Sequence, residues 1–316
     1  MRLILLGLLL SAHLSLAWPS LQAQPASGDD LLKSGRFQEA RDAFESVLST
    51  DPTNADAQRG EVAACERLAL DARQAGQMDD ALKDLLRAQT FAAKDQHLLY
   101  DLGILEDEMH LYRDADQTLT ALEQLHPTDP RVMYAIARVK LDLGQLAPAE
   151  EKMQAYLKLQ PGDASAHYGL GRIYQLSLQY DKARAEFQHS IELKPIQTES
   201  YYELGDIALG QGAYDEAIDY FSKTLARDPK HGGALTGTGE ACFKEKQYSR
   251  AEEVLQRAVI AAPKYQAAHY YLGLTLARLG RKEDSERELQ LATQLADEAS
   301  KKDRSGLHLL SPPTMQ

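Results

Sequence analysis

Residues 164–197, ASAHYGLGRIYQLSLQYDKARAEFQHSIELKPIQ, decide the fold. The first half places His167, Leu170, Gly171 and Tyr174 at i, i+3, i+4 and i+7, one face of a helix. The second half places Ala183, Phe187, Ser190 and Ile191 at i, i+4, i+7 and i+8, the face of another. A polar break at Gln179-Tyr180-Asp181 separates them. Pro195 ends the unit, because proline cannot continue a helix. The stretch predicts a helix hairpin in which Gly171 and Ala183 are small where the helices cross. A bulky replacement there overpacks the crossing at about 1–3 kcal/mol.

The same beat runs outward in both directions. Prolines recur every 34 residues at Pro127, Pro161, Pro195, Pro229 and Pro263. A small-residue column holds Ala115, Ala149, Ala183, Ala217, Ala251 and Ser285, and a glycine column Gly103, Ala137, Gly171, Gly205, Gly239 and Gly273. An aromatic column holds Tyr100, Tyr134, Tyr168, Tyr202, Thr236 and Tyr270. Several columns in one register mark an array of stacked helical repeats.

These residues resemble the tetratricopeptide repeat, whose pattern is an aromatic, then Leu-Gly, an aromatic, Ala, Phe and Pro. The clearest unit is Tyr201, Leu204-Gly205, Gly212, Tyr214, Ala217, Phe221 and Pro229. Upstream, Gly76, Ala81, Leu85 and Ala88 keep the register. Gly28, Gly35, Phe37, Ala40, Phe44 and Pro52 fit the template seven residues out of phase, so residues 55–61 read as an insertion of about two helical turns. The resemblance implies an all-α, right-handed α-solenoid of antiparallel helix hairpins. About eight units fall at 21–54, 62–95, 96–129, 130–163, 164–197, 198–231, 232–265 and 266–299, followed by a tail at 300–316.

The ends add a compartment. Arg2 precedes the apolar run Leu3-Ile4-Leu5-Leu6-Gly7-Leu8-Leu9-Leu10, with small-residue sites ending at Ala17 and Ala23, the plan of a secretory signal over residues 1–23. The run is shorter than the ~20 residues of a membrane span; an uncleaved anchor is the alternative. Trp18 is the only tryptophan, so cleavage after Ala23 leaves none. The sole asparagine, Asn54, is not in a glycosylation sequon, which leans toward a bacterial periplasm. Cys65 and Cys242 lie about five units apart, too far to pair in a solenoid, and read as small buried hydrophobes.

A net charge of −12 argues against nucleic-acid binding, which needs a basic face. The chain lacks H-E-x-x-H, a Walker loop, G-x-S-x-G and C-x-x-C, so catalysis has no motif to rest on. No cofactor or metal is expected. His167 and His269 occupy the slot of a large aromatic at the helix interface, and packing accounts for them.

By resemblance, the first helices of such an array line a concave groove that receives a peptide or a partner helix. The residues expected there are the tyrosines Tyr100, Tyr134, Tyr168, Tyr202 and Tyr270 and the positions four residues on. The latter run Ile104, Arg138, Arg172, Asp206, Glu240 and Leu274, a change of sign that suits a partner of alternating charge. The family's clamp for a C-terminal carboxylate needs asparagines that are absent here. The function expected is a non-catalytic scaffold in the cell envelope. The alternatives are an accessory subunit of a secretion, pilus or polysaccharide-export machine docking by its convex or end faces, and a structural spacer that self-assembles. Polar residues 281–288 cap the last face, and Leu307, Leu309 and Leu310 fold back or dock elsewhere.

Overall fold

The computed structural model describes residues 27–308, with side chains from 27 to 299. The signal at 1–23, the Leu307 side chain, and Leu309 and Leu310 therefore lie outside the described residues. Among the described residues all regular structure is helical, in sixteen helices taken as eight consecutive pairs. The chain divides into two compact units between Leu98 and Leu99.

The first unit holds α1 (Gly28–Lys33), α2 (Phe37–Thr50), α3 (Ala55–Gln74) and α4 (Met78–Phe91). Its core is Leu31, Ala40, Phe44 and Leu48 against Ala57 and Ala64. Helix α3 has 20 residues where most other first helices have 13. Residues 55–61 are its opening turns, capped by the Asn54 side chain, which accepts from the Ala57 amide at 2.9 Å.

The second unit begins within α5 (Gln96–Glu108) and runs through α6 (Tyr112–Leu125), α7 (Pro130–Asp142), α8 (Leu146–Leu159), α9 (Ala164–Leu176) and α10 (Tyr180–Leu193). It continues through α11 (Thr198–Gly210), α12 (Tyr214–Leu225), α13 (Gly232–Lys244), α14 (Tyr248–Ala261), α15 (Gln266–Arg278) and α16 (Lys282–His308). From α6 onward each helix packs on its sequence neighbour, and first helices also meet across units, α7 on α9, α11 on α13 and α13 on α15. Second helices pack on first helices rather than on one another, so the first helices line the tighter side of this unit. Helix α16 covers α15 and runs nine residues past position 299.

Two features of the sequence columns explain the hairpins. The turn between paired helices puts one residue in the left-handed region, which glycine enters without a Cβ penalty. Gly35, Gly76, Gly144, Gly212 and Gly280 fill that slot with φ between 69° and 82°; His110, Leu178 and Lys246 fill it elsewhere at about 60°. The next amide then reaches back to close the helix, as Gln179 N does to Tyr174 O at 2.9 Å. The glycine column marks the crossing itself. A Cβ on Gly171 would lie 2.6 Å from Phe187, and one on Gly239 2.4 Å from the Leu255 Cγ. Ala137 is the exception, and it shares its cluster with Met153, an unbranched side chain that can bend away.

His167 and His269 are held alike. In each, Nδ1 meets a carboxylate of the second helix (Glu186 at 2.6 Å, Glu288 at 2.7 Å) and Nε2 meets a proline carbonyl (Pro161 at 3.1 Å, Pro263 at 3.0 Å). They tie the end of one repeat to the start of the next. Cys65 and Cys242 are free thiols, both buried. Among the described residues no helix is long and apolar enough to cross a membrane.

Candidate functional site

The tyrosine column faces the first-helix side and half-buries its rings against the second helices. Tyr134 packs on Tyr156 at 5.2 Å, Tyr168 on Phe187 at 5.8 Å and Tyr202 on Phe221 at 5.9 Å, while the Arg131 guanidinium lies 5.2 Å from the Tyr100 ring. Tyr270 differs. It is exposed and meets Tyr271 edge-on at 5.3 Å. Burial raises the phenol pKa values of Tyr134, Tyr168 and Tyr202, so these rings stay neutral.

The charged column is tied together at one recurrent separation. Arg138 Nη2 donates to Asp107 Oδ2 at 2.8 Å, Arg172 pairs with Glu203, Gln175 Nε2 donates to Asp206 Oδ2 at 3.4 Å, and the Tyr271 hydroxyl donates to Glu240. Each of these pairs spans 31 residues. That is one repeat less about one helical turn, the offset between neighbouring first helices. Asp107 and Glu203 are buried, and the arginines supply the charge that lets them be so. Burial still pushes the Asp107 carboxyl above its ordinary value, with Arg138 pulling the other way.

Of the expected residues, Arg172, Tyr202 and Asp206 come together. They line a cleft of about 440 Å³ between α9 and α11, with Gln175, Leu176, Glu203 and Gln211. Bulky side chains cross from α9 to α11, whereas α13 is glycine-rich and lets α11 approach. Tyr202 lies directly over Gly233, whose Cβ would sit 2.9 Å from the ring. In the cleft Arg172 Nε and Gln175 Oε1 are buried without a hydrogen-bond partner. A buried donor and a buried acceptor left unpaired in one cleft are costly unless a bound group or water completes them. Asp206 is open at its tip yet walled by protein, which raises its carboxyl pKa, with Arg172 working against the rise.

Tyr100, Tyr134, Arg138, Tyr168, Glu240 and Tyr270 do not line this cleft. Sequence reasoning missed Glu203 and Gln175, because neither falls in the tyrosine column or four residues after it. The 31-residue separation is the signal that finds them, and it becomes usable only once the offset between first helices is known. The change of sign read along the column takes a different meaning here. Its arginines are already engaged within the chain.

A tetratricopeptide repeat profile matches residues 26–95, 134–195, 175–231, 202–265 and 238–300, well over half of the chain. Among curated proteins no sequence matches it. A tetratricopeptide repeat protein from Parabacteroides merdae is similar in structure over 74% of this chain and 93% of its own, with a TM-score of 0.62 at 17% identity. The APC/C hetero-tetramer Cut9-Hcn1 is similar over 85% of this chain and 52% of the other, with a TM-score of 0.60 at 17% identity. MamA from Desulfovibrio magneticus, from residue 41 to its end, is similar over 54% and 97%, with a TM-score of 0.51 at 22% identity. At these identities the likeness shows the fold alone.

Proposed function

The chain belongs to the tetratricopeptide repeat family, and from that premise we propose that it is a non-catalytic scaffold of the cell envelope. It holds an extended segment of a partner protein against the first-helix face of its second unit. The observation that carries this reading is the cleft between α9 and α11, where Arg172 Nε and Gln175 Oε1 lie buried and unpaired. An extended main chain presents the N–H and C=O of one residue on the same edge, and these can meet an unpaired acceptor and an unpaired donor in the cleft. Leu176 and Tyr202 supply apolar area at the rim.

A second reading has its own support. Leu125, Leu159 and Leu193 recur every 34 residues at the ends of second helices, and all three are exposed. That row would serve an accessory subunit that docks through the edge of the array.

The test is crosslinking capture from an envelope extract, with wild type beside a rim variant carrying Gln175→Ala, Leu176→Ser and Gln211→Ala. These positions are half-buried or exposed, so helicity by circular dichroism is expected to be unchanged. The groove reading expects a partner that wild type captures and the helical variant loses. Equal capture of one partner by both rejects it and directs attention to the leucine row.

A further inference from the structure

The repeats serve as one another's reference, and the turn between α9 and α10 departs from the rest. The exposed slot that Leu176 fills holds Lys33, Gln74, Glu108, Asp142, Lys244 and Arg278 in six other units and Gly210 in the next. The left-handed turn slot holds five glycines, His110 and Lys246; Leu178 is its one apolar side chain among the described residues. Both leucines are exposed, Leu176 by 51% and Leu178 by 71%, so neither builds the core. Glycine would enter the Leu178 turn, at φ near 59°, with less strain. Apolar side chains kept in water at a strained turn point to a contact made outside the chain.

The same turn borders the cleft between α9 and α11. Leu176 and Tyr180, on either side of Leu178 in the chain, both line it, and Tyr180 is exposed as well. On the α11 wall stands Gly210, where a Cβ would meet nothing within 4 Å, so that side of the mouth is open. Arg172 Nε and Gln175 Oε1 lie unpaired in this one cavity. Its charges are engaged within the chain. Arg172 pairs with Glu203, and Asp206 accepts from Gln175 at 3.4 Å with Arg172 also acting on it. Where most other units carry a charge or an amide beside the turn, this mouth carries leucine, and an uncharged surface complements an uncharged ligand.

We propose that the mouth of this cleft takes an aliphatic side chain, of leucine, isoleucine or methionine type, from an extended partner segment. The proposal rests on the groove reading above and names the chemistry of its occupant. The side chain sits against Leu176 and Tyr180 in the room that Gly210 leaves, and Leu178 extends the apolar lip. The main chain of the segment meets Arg172 Nε and Gln175 Oε1. Arg172 stays engaged with Glu203 and attracts no acidic ligand.

Three fluorescein-labelled dodecapeptides test this, of one Gly/Ser background with leucine, glutamine or lysine at four alternate positions. Anisotropy titrations use the mature chain, a Leu176→Gln/Leu178→Gly variant that installs the Gln74 and Gly76 pair of an earlier turn, and a Gln175→Ala variant. A Leu125→Gln/Leu159→Gln control removes two exposed leucines from the ends of second helices. The lip variant is expected to melt no lower than wild type. The leucine peptide is expected to bind at least tenfold more tightly than the glutamine peptide. Its binding falls tenfold or more in the lip variant, stays unchanged in the control, and barely responds to salt. Equal loss in lip variant and control overturns the site in favour of generic apolar adsorption, and unchanged binding in the lip variant overturns it as well. Preference for the lysine peptide contradicts the uncharged mouth. If leucine and glutamine peptides bind equally and Gln175→Ala weakens both, the aliphatic site is wrong and the groove reading stands. If no peptide binds, the aliphatic site is rejected, and the captured partner alone judges the groove.

Discussion

Glu106 stands where the following units put Lys140, Tyr174, Ala208, Cys242 and Leu276, and it is buried. One of its carboxyl oxygens has no hydrogen-bond partner. Burial pushes this carboxyl up to about 7; Thr118 acts against the rise and Asp114 with it. The folded chain thus keeps a proton that the unfolded chain releases from about pH 4.5 upward. Stability from this group is therefore highest below that pH, falls as pH rises toward about 7, and is level above it. Glu106→Gln is expected to remove the slope and to raise stability at pH 8 by roughly 1–3 kcal/mol, with little change at pH 4. Thermal melts at the two pH values check this; parallel shifts at both would refute the assignment.

At the scale of the helix pair, the glycine column sets how closely the two helices cross. Alanine normally favours a helix over glycine by up to ~1 kcal/mol. At Gly239 the added methyl meets the branch carbon of Leu255 at 2.4 Å, and overpacking of about 1–3 kcal/mol outweighs that gain. Gly239→Ala is expected to lower stability, and Leu255→Met to restore part of it, reproducing the Ala137 and Met153 combination. Urea denaturation of the single and double variants gives the coupling; strict additivity would contradict the crossing account. The turn slot is less strict than the crossing. Leu178 occupies it at φ near 59° with its side chain exposed.

Across the whole molecule, the two thiols report on two cores. Cys65 lies in the first unit and Cys242 in the second, each fully buried, and the chain has no other cysteine. Burial, with Glu61 and Asp84 adding to it, pushes the Cys65 thiol up to about 12, and burial raises that of Cys242. A thiol-specific aromatic disulfide reagent at pH 8 is expected to find almost no reactive thiol in the native protein and two per chain in denaturant. Rapid native reaction at either position would show that its unit opens readily. The hairpins, their period and the small residues at each crossing were readable in the residues alone, because a 3.6-residue face and a 34-residue beat are local properties that every unit repeats. The charge of the groove was not. It depends on which carboxylate each arginine meets, and that follows from the one-turn offset between first helices 31 residues apart. Packing sets that offset, so Arg172 took Glu203 as its ion-pair partner, Asp206 was left with a long hydrogen bond from Gln175, and Glu240 with one from the Tyr271 hydroxyl.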